Sequence, residues 1–299
     1  MNSKKLISIL LLFSTATIWG FALVAQSNGM KYIGPYTFTA VRSMVGGLAM
    51  LAMLPIFSKL NINEGLEISE SLTRRASLFC GIFLFLSLNL QQYALLYTTA
   101  GKAGFITTLY IVIIPIIRYF LGVKLDAKTA FCILMAIIGL YFITIKEDFT
   151  INIGDVMLFI AAITMSIHTL LLAKYAVHVD IIKLNGYQFI VCSLLSFVPA
   201  LIFESIEPVY IKQALGAILY VGVLSSAIGY LFQILGLKNM DPTIASLILS
   251  LESIISVFAG YLMLNQILTN REMLGCCITL IATLLSQLPS KKIKAREKA

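Results

Sequence analysis

Apolar runs of roughly twenty residues, cut by short polar turns, recur along the whole 299-residue chain. At 1.5 Å of rise per residue, about 20 such residues in a helix cross a hydrocarbon layer ~30 Å thick. The pattern predicts ten helical segments, at about 6–27, 36–57, 77–98, 104–123, 127–145, 153–173, 184–203, 213–235, 243–264 and 272–288. Turn chemistry separates them: Gly34-Pro35, Gly101, Lys146-Glu147-Asp148, Glu207-Pro208 and Asp241-Pro242. Only the connection at 58–76 is long, and its charges (Glu64, Glu67, Glu70, Arg74, Arg75) assign it to the membrane surface. The first run follows Lys4 and Lys5 as a signal peptide would. Its apolar core is longer than a usual signal core and has no clear small-x-small cleavage site, so it reads as a retained first helix.

Composition agrees with that pattern. With 59% hydrophobic residues, 12% charged and a mean hydropathy of +0.94, the chain reads as a polytopic membrane protein without a separate soluble domain. Fifteen Lys and Arg fall in the tails and loops on the N-terminal side, against five in the opposite loops. Both termini are therefore expected in the cytoplasm, in a multi-pass protein of the cell (inner) membrane. The net charge of +8 owes much to the basic stretch 289–299, a topology signal and a contact for anionic lipid more than for nucleic acid. Cys80, Cys132, Cys192, Cys276 and Cys277 all fall in apolar runs, and His168 and His178 are the two histidines. That inventory predicts buried thiols, with no metal site, no disulfide and no cofactor.

Polar residues inside the apolar runs are the candidates for chemistry. Glu252 is the one charge in segment 9, near its middle. A carboxylate there costs on the order of 3 kcal/mol unless it faces protein or water. Ala245, Ser256 and Ala259 share its helix face, which suits close packing. Two readings stand at this point: an acid at a functional site, or a hydrogen-bonded packing lock. Arg118 is near enough to a helix end to snorkel. Arg42, about two turns into segment 2, is either structural or a charge on the wall of a cavity. Trp19, the only tryptophan, lies deep in segment 1 as a core aromatic or a stacking surface. In segment 3, Asn89, Gln91, Gln92 and Tyr93 cluster, and adjacent Gln side chains point about 100° apart on a helix. His168 in segment 6 and Glu252 form the obvious acid/base pair, and Tyr187, Gln188, Ser225, Ser226 and Tyr230 complete the second half.

A shift of 142 residues superposes segments 3–5 on segments 8–10. It matches Gln91 with Gln233, Ala103 with Ala245, Ile106 with Ile248, Leu109 with Leu251 and Tyr119 with Tyr261. Tyr110 then stands opposite Glu252, and a slightly larger shift near the start of each half sets Arg42 opposite Gln188. Five segments per half is an odd number, so the halves enter the membrane from opposite sides. The expected fold is all-α and integral to the membrane, with ten transmembrane helices as two inverted five-helix repeats (1–147 and 148–288) and a basic cytoplasmic tail (289–299).

Several strings resemble the drug/metabolite transporter superfamily, EamA type. They are Ile18-Trp19-Gly20, Val41-Arg42, the hairpin from Gln92-Tyr93-Ala94-Leu95 through Ala103-Gly104-Phe105-Ile106-Thr107, and Ala245-Ser246-Leu247-Ile248-Leu249-Ser250-Leu251-Glu252. The resemblance covers about 6–288. It implies a proton-coupled or exchanging carrier, often an exporter, for an amino acid, amine or drug-like compound. It also implies a central cavity lined by segments 1, 3, 4, 6, 8 and 9. Two departures stand out: Ser253 replaces the proline that commonly follows the glutamate, and the Gly-Glu that often ends segments 4 and 9 reads Val123-Lys124 and Asn265-Gln266. The expected substrate-binding residues are Trp19, Gln92, Tyr93, Tyr110, His168, Tyr230 and Glu252, with Glu252 also carrying the coupled proton. An intramembrane enzyme is the rival from another class, and the helices lack HExxH, GxSxG or paired aspartates. A passive metabolite channel is the third reading. Ala136, Gly139, Gly275 and Ala282 in segments 5 and 10 offer a small-residue stripe for a homodimer or for lipid.

Overall fold

A computed structural model describes residues 3–59, 68–97, 100–144, 151–264 and 269–288. Glu64, Glu67, Lys146-Glu147-Asp148, Asn265-Gln266 and the basic tail lie outside the described residues. Within them the regular structure is helical, and a helix occupies each expected segment. Among the described residues, seven helices are long and apolar enough to cross a membrane: Ser3–Gly29, Glu70–Ala94, Ala103–Phe120, Ile153–Tyr175, Ile181–Phe203, Leu215–Leu237 and Pro242–Met263. Segment 2 is Pro35–Ala52, segment 5 is Ala127–Thr144 and segment 10 is Asn270–Gln287. The outward faces carry Phe13, Phe120, Leu201 and Leu262 in the open, as lipid-facing helices do.

Local chemistry sets the ends. Segment 4 stops at Gly122, whose φ of 88° suits a residue without a Cβ. Val123 N donates to Arg118 O and Gly122 N to Tyr119 O, which is the paired bonding of a glycine-terminated helix. Asp180 caps segment 7 by accepting from Ile182 N and Lys183 N, each at 3.0 Å. The long connection is shorter than expected, because segment 3 begins at Glu70. Ser69 accepts from Leu72 N as its cap, and Glu70 pairs with Lys183 at 2.8 Å, so Glu70, Arg74 and Arg75 belong to helix and not to a surface loop.

The segments pack in a regular scheme. Segment 2 lies along segment 7, and segment 5 along segment 10. Segment 3 touches 6 and 7, while segment 8 touches 1 and 2; segment 4 packs on 6, and segment 9 on 1. The small residues of segments 5 and 10 are used inside the chain. A Cβ at Gly139 would lie 2.2 Å from Thr279 Oγ1, and one at Gly275 would lie 2.6 Å from Gly139 O. In lipid, such close backbone approach replaces the hydrophobic drive that water supplies elsewhere.

Candidate functional site

Segments 4, 8 and 9 are interrupted within their length, and these interruptions fall where the polar residues gather. Segment 4 breaks at Leu109, between Ala100–Thr108 and Tyr110–Phe120. Segment 9 breaks at Ser250 and Leu251, between Pro242–Leu249 and Glu252–Leu264. Each break tightens by one residue: Leu109 N donates to Ile106 O, and Leu251 N to Ile248 O. Hydroxyls bond back to the helix just before each break, Thr108 Oγ1 to Gly104 O at 2.7 Å and Ser250 Oγ to Leu247 O at 2.8 Å. The hydroxyls of Thr108 and Ser253 then meet across the two segments at 3.4 Å. A proline after Glu252 is thus not needed for the helix to break there; Ser250 and Ser253 serve.

Segment 8 carries a π-helical stretch, Tyr220–Gly229. Side chains from two neighbours reach its carbonyls: Thr15 Oγ1 donates to Gly229 O at 3.0 Å, Trp19 Nε1 to Ser225 O at 3.4 Å, and Asn185 Nδ2 to Ala227 O at 2.8 Å. Those bonds hold a backbone form that is rare in helices and recurs at functional sites. Immediately after the stretch comes Tyr230, 3% exposed, which sits at the hub of the cluster.

The ring of Tyr230 lies 4.7 Å from that of Trp19, 4.9 Å from Phe189 and 6.0 Å from His168, centroid to centroid. These separations are those of favourable aromatic pairs. Tyr110 and Tyr230 both lie within electrostatic reach of Glu252. His168 Nε2 donates to Gln188 Oε1 at 2.9 Å, and Gln188 Nε2 donates to Asn185 Oδ1 at 2.9 Å. This relay fixes the imidazole tautomer and leaves His168 Nδ1 buried without a hydrogen-bond partner. The hydroxyls of Tyr110 and Ser226 are likewise buried and unpartnered. Glu252 is half-buried, and no cation bonds it among the described residues.

Of the expected site residues, Trp19, Tyr110, His168, Tyr230 and Glu252 come together. Gln92 and Tyr93 do not join them. Gln92 Nε2 donates to Met30 Sδ at 2.8 Å, and Tyr93 stacks on Tyr36 at 5.2 Å and meets Tyr97. Arg118 is tied to Asp241 and to Thr243 Oγ1, linking the end of segment 4 to the start of segment 9. Sequence reasoning missed Asn185 and Phe189; Asn185 lies three residues before Gln188 and four before Phe189, and that helical spacing is the signal that could have found them. Among the described residues, no group of three or more His, Cys, Asp or Glu could hold a metal.

The model of the EamA-like transporter family matches residues 6–145 and again 152–288. An uncharacterized transporter of Archaeoglobus fulgidus is 26% identical over 286 residues, covering 95% of this chain and 87% of that protein. The uncharacterized transporter YoaV of Bacillus subtilis is 24% identical, with 89% and 93% covered. A WAT1-related chloroplastic protein of Arabidopsis thaliana is 25% identical, with 93% and 69% covered. A crystal structure of a protein with 17% identity shares the fold at a TM-score of 0.80, over 96% of this chain and 98% of the other.

Proposed function

We propose, on the premise that the chain belongs to the EamA-like transporter family, that this multi-pass membrane transporter moves a small organic metabolite by alternating access. The observation that carries the reading is the pair of helix breaks at Leu109 and Leu251, which are 142 residues apart and stand next to Tyr110 and Glu252. Broken helices facing each other between repeats are a recurring substrate site in secondary transporters.

Ten spanning helices in two inverted repeats, 1–147 and 148–288, fit this reading. Exchanging the halves turns the 3–6 contact into 8–1, 3–7 into 8–2, and 4–6 into 9–1, and returns 2–7 and 5–10 to themselves. Orientation with both termini in the cytoplasm of the inner membrane follows from the lysine and arginine distribution. The metabolite contacts Trp19, Tyr230 and Tyr110, and Glu252 carries the coupled proton. An ionised carboxylate without a cationic partner at that depth is costly. Its charged and neutral forms therefore favour different conformations, which is the differential interaction that coupling requires. An exporter or exchanger is the expected direction of use.

The test is uptake of labelled amino acids and amines into proteoliposomes, with and without an imposed pH gradient. Gradient-driven accumulation that is lost in Glu252→Gln, with exchange of labelled for unlabelled solute retained, supports the mechanism. Accumulation that persists in the variant keeps the carrier and returns Glu252 to packing. Flux that never exceeds equilibration makes the protein a passive channel.

A further inference from the structure

Arg42 stands about two turns into segment 2 and is 2% exposed, so its side chain is enclosed by protein and does not reach a lipid headgroup. Its Nε is buried without a hydrogen-bond partner, and among the described residues no carboxylate pairs with the guanidinium. Cys192 of segment 7 and Tyr230, the hub of the cluster, lie within electrostatic reach of it. One turn further on the same helix face, a Cβ at Gly46 would lie 2.6 Å from Ser226 Cβ, so that face of segment 2 meets the π-helical stretch.

The energetics of such an arginine are lopsided. A guanidinium does not neutralise itself by losing its proton, as a carboxylic acid or an imidazole can by changing protonation state. Buried and unpaired, it carries a desolvation penalty that only an anion or a dense set of acceptors offsets. Glu252 lies within electrostatic reach of the same tyrosine, yet it forms no ion pair with Arg42. Both charges therefore act on Tyr230 without cancelling each other. The other orphaned groups nearby, Tyr110 OH and Ser226 Oγ, can also donate to an acceptor.

We propose that Arg42 is the anion-recognition residue of the transport site, and that the substrate class is small carboxylate-bearing solutes, with simple amines excluded. This rests on the transporter reading of the same cluster and narrows it. The planar fork of the guanidinium holds the carboxylate by two parallel N–H···O bonds. The aromatic faces of Trp19 and Tyr230 receive the solute's carbon skeleton. Arg42 thus sets specificity: a solute without an anionic group leaves the guanidinium unpaired and forfeits the largest favourable interaction the site offers.

Trp19 is the only tryptophan, so its emission reports this cluster and nothing else. The experiment titrates the purified full chain in dodecyl maltoside micelles, excited at the red edge where tyrosine does not absorb, with sodium butanoate, 2-aminobutanoate and butylammonium chloride, solutes of matched skeleton. Butanoate and 2-aminobutanoate are expected to change Trp19 emission saturably, and butylammonium to leave it unchanged. Arg42→Gln is expected to weaken carboxylate binding by roughly thirtyfold or more. Arg42→Lys, which keeps the charge without the fork, should fall between the two and guards against a variant that fails to fold. The inference is overturned if butylammonium binds as tightly as butanoate, if Arg42→Gln binds carboxylates unchanged, or if none of the three perturbs Trp19. A response to the amine alone would keep the transport site and remove the anion assignment. Carboxylate binding in a protein that shows no gradient-driven flux would do the reverse.

Discussion

Segment 2, which carries Arg42, starts on a borrowed cap, and that contact is accessible to a quantitative test. Gly34 at its N-cap position offers no side chain. Instead Glu204, at the end of segment 7, accepts from Tyr36 N at 2.9 Å and from Thr37 N at 2.7 Å. A cap of this kind contributes about 1 kcal/mol, and a carboxylate at the positive end of a helix dipole adds up to about 1 more. Removing it in Glu204→Ala should therefore cost about 2 kcal/mol. Gly34→Ala reaches the same contact from the other side. A Cβ there would lie 2.2 Å from Glu204 Cδ and 2.5 Å from both carboxylate oxygens. The Gly34 backbone, at φ −65° and ψ 160°, suits any residue, so the cost arises from displacing Glu204 and not from backbone strain. In the Glu204→Ala background the added methyl meets no carboxylate and should be neutral or gain a few tenths of a kcal/mol. Unfolding in mixed SDS micelles, followed by helix content, measures all four proteins of this cycle. A coupling energy of about 2 kcal/mol is expected. Additive effects of the two substitutions would refute the borrowed cap, since the methyl would then act through something other than Glu204.

Two further outcomes follow from close approaches. A Cβ at Gly229 would come within 2.9 Å of Trp19 Nε1, so Gly229→Ala should push the indole from its seat against Ser225 O. Its emission should shift to the red, and an unchanged spectrum would mean that Trp19 is not held there. Gly139→Ala sets a methyl 2.2 Å from Thr279 Oγ1 and should destabilise by about 1–3 kcal/mol. Gly104→Ala meets nothing within 4 Å and should instead stabilise by about 0.5–1 kcal/mol, the ordinary helix gain. The same SDS titration separates the pair, and equal effects would refute the packing assigned to segments 5 and 10.

Much of this architecture was legible in the chain. Hydropathy placed every helical segment, because about 20 apolar residues cannot stay in water and their backbone groups must then be satisfied within the helix. The shift of 142 residues paired Leu109 with Leu251 and Tyr110 with Glu252, and the helix breaks fall at those positions. Trp19 and Glu252 stood out as lone residues of their kinds in apolar runs. The extent of segment 3 was misjudged, since the charges of Glu70, Arg74 and Arg75 resemble a surface stretch until Lys183 supplies a partner for Glu70.

Other features depend on contacts between residues distant in the chain, which no local pattern encodes. The π-helical stretch of segment 8 is held by Thr15, Trp19 and Asn185, which lie on segments 1 and 7. Gln92 and Tyr93 sit beside Met30 and Tyr36 instead of Tyr230 because helix rotation, which hydropathy leaves open, chose that face. The sequence by itself determined which stretches leave water and which polar residues go with them, through the cost of burying unsatisfied groups. Only the tertiary structure decided which of those residues meet, since the rotation and crossing of each helix are set by what its neighbours allow to pack. That is why Arg42 could be read along the chain as a structural charge or a charge on a cavity wall, and only in the packed molecule as a buried guanidinium without a carboxylate partner.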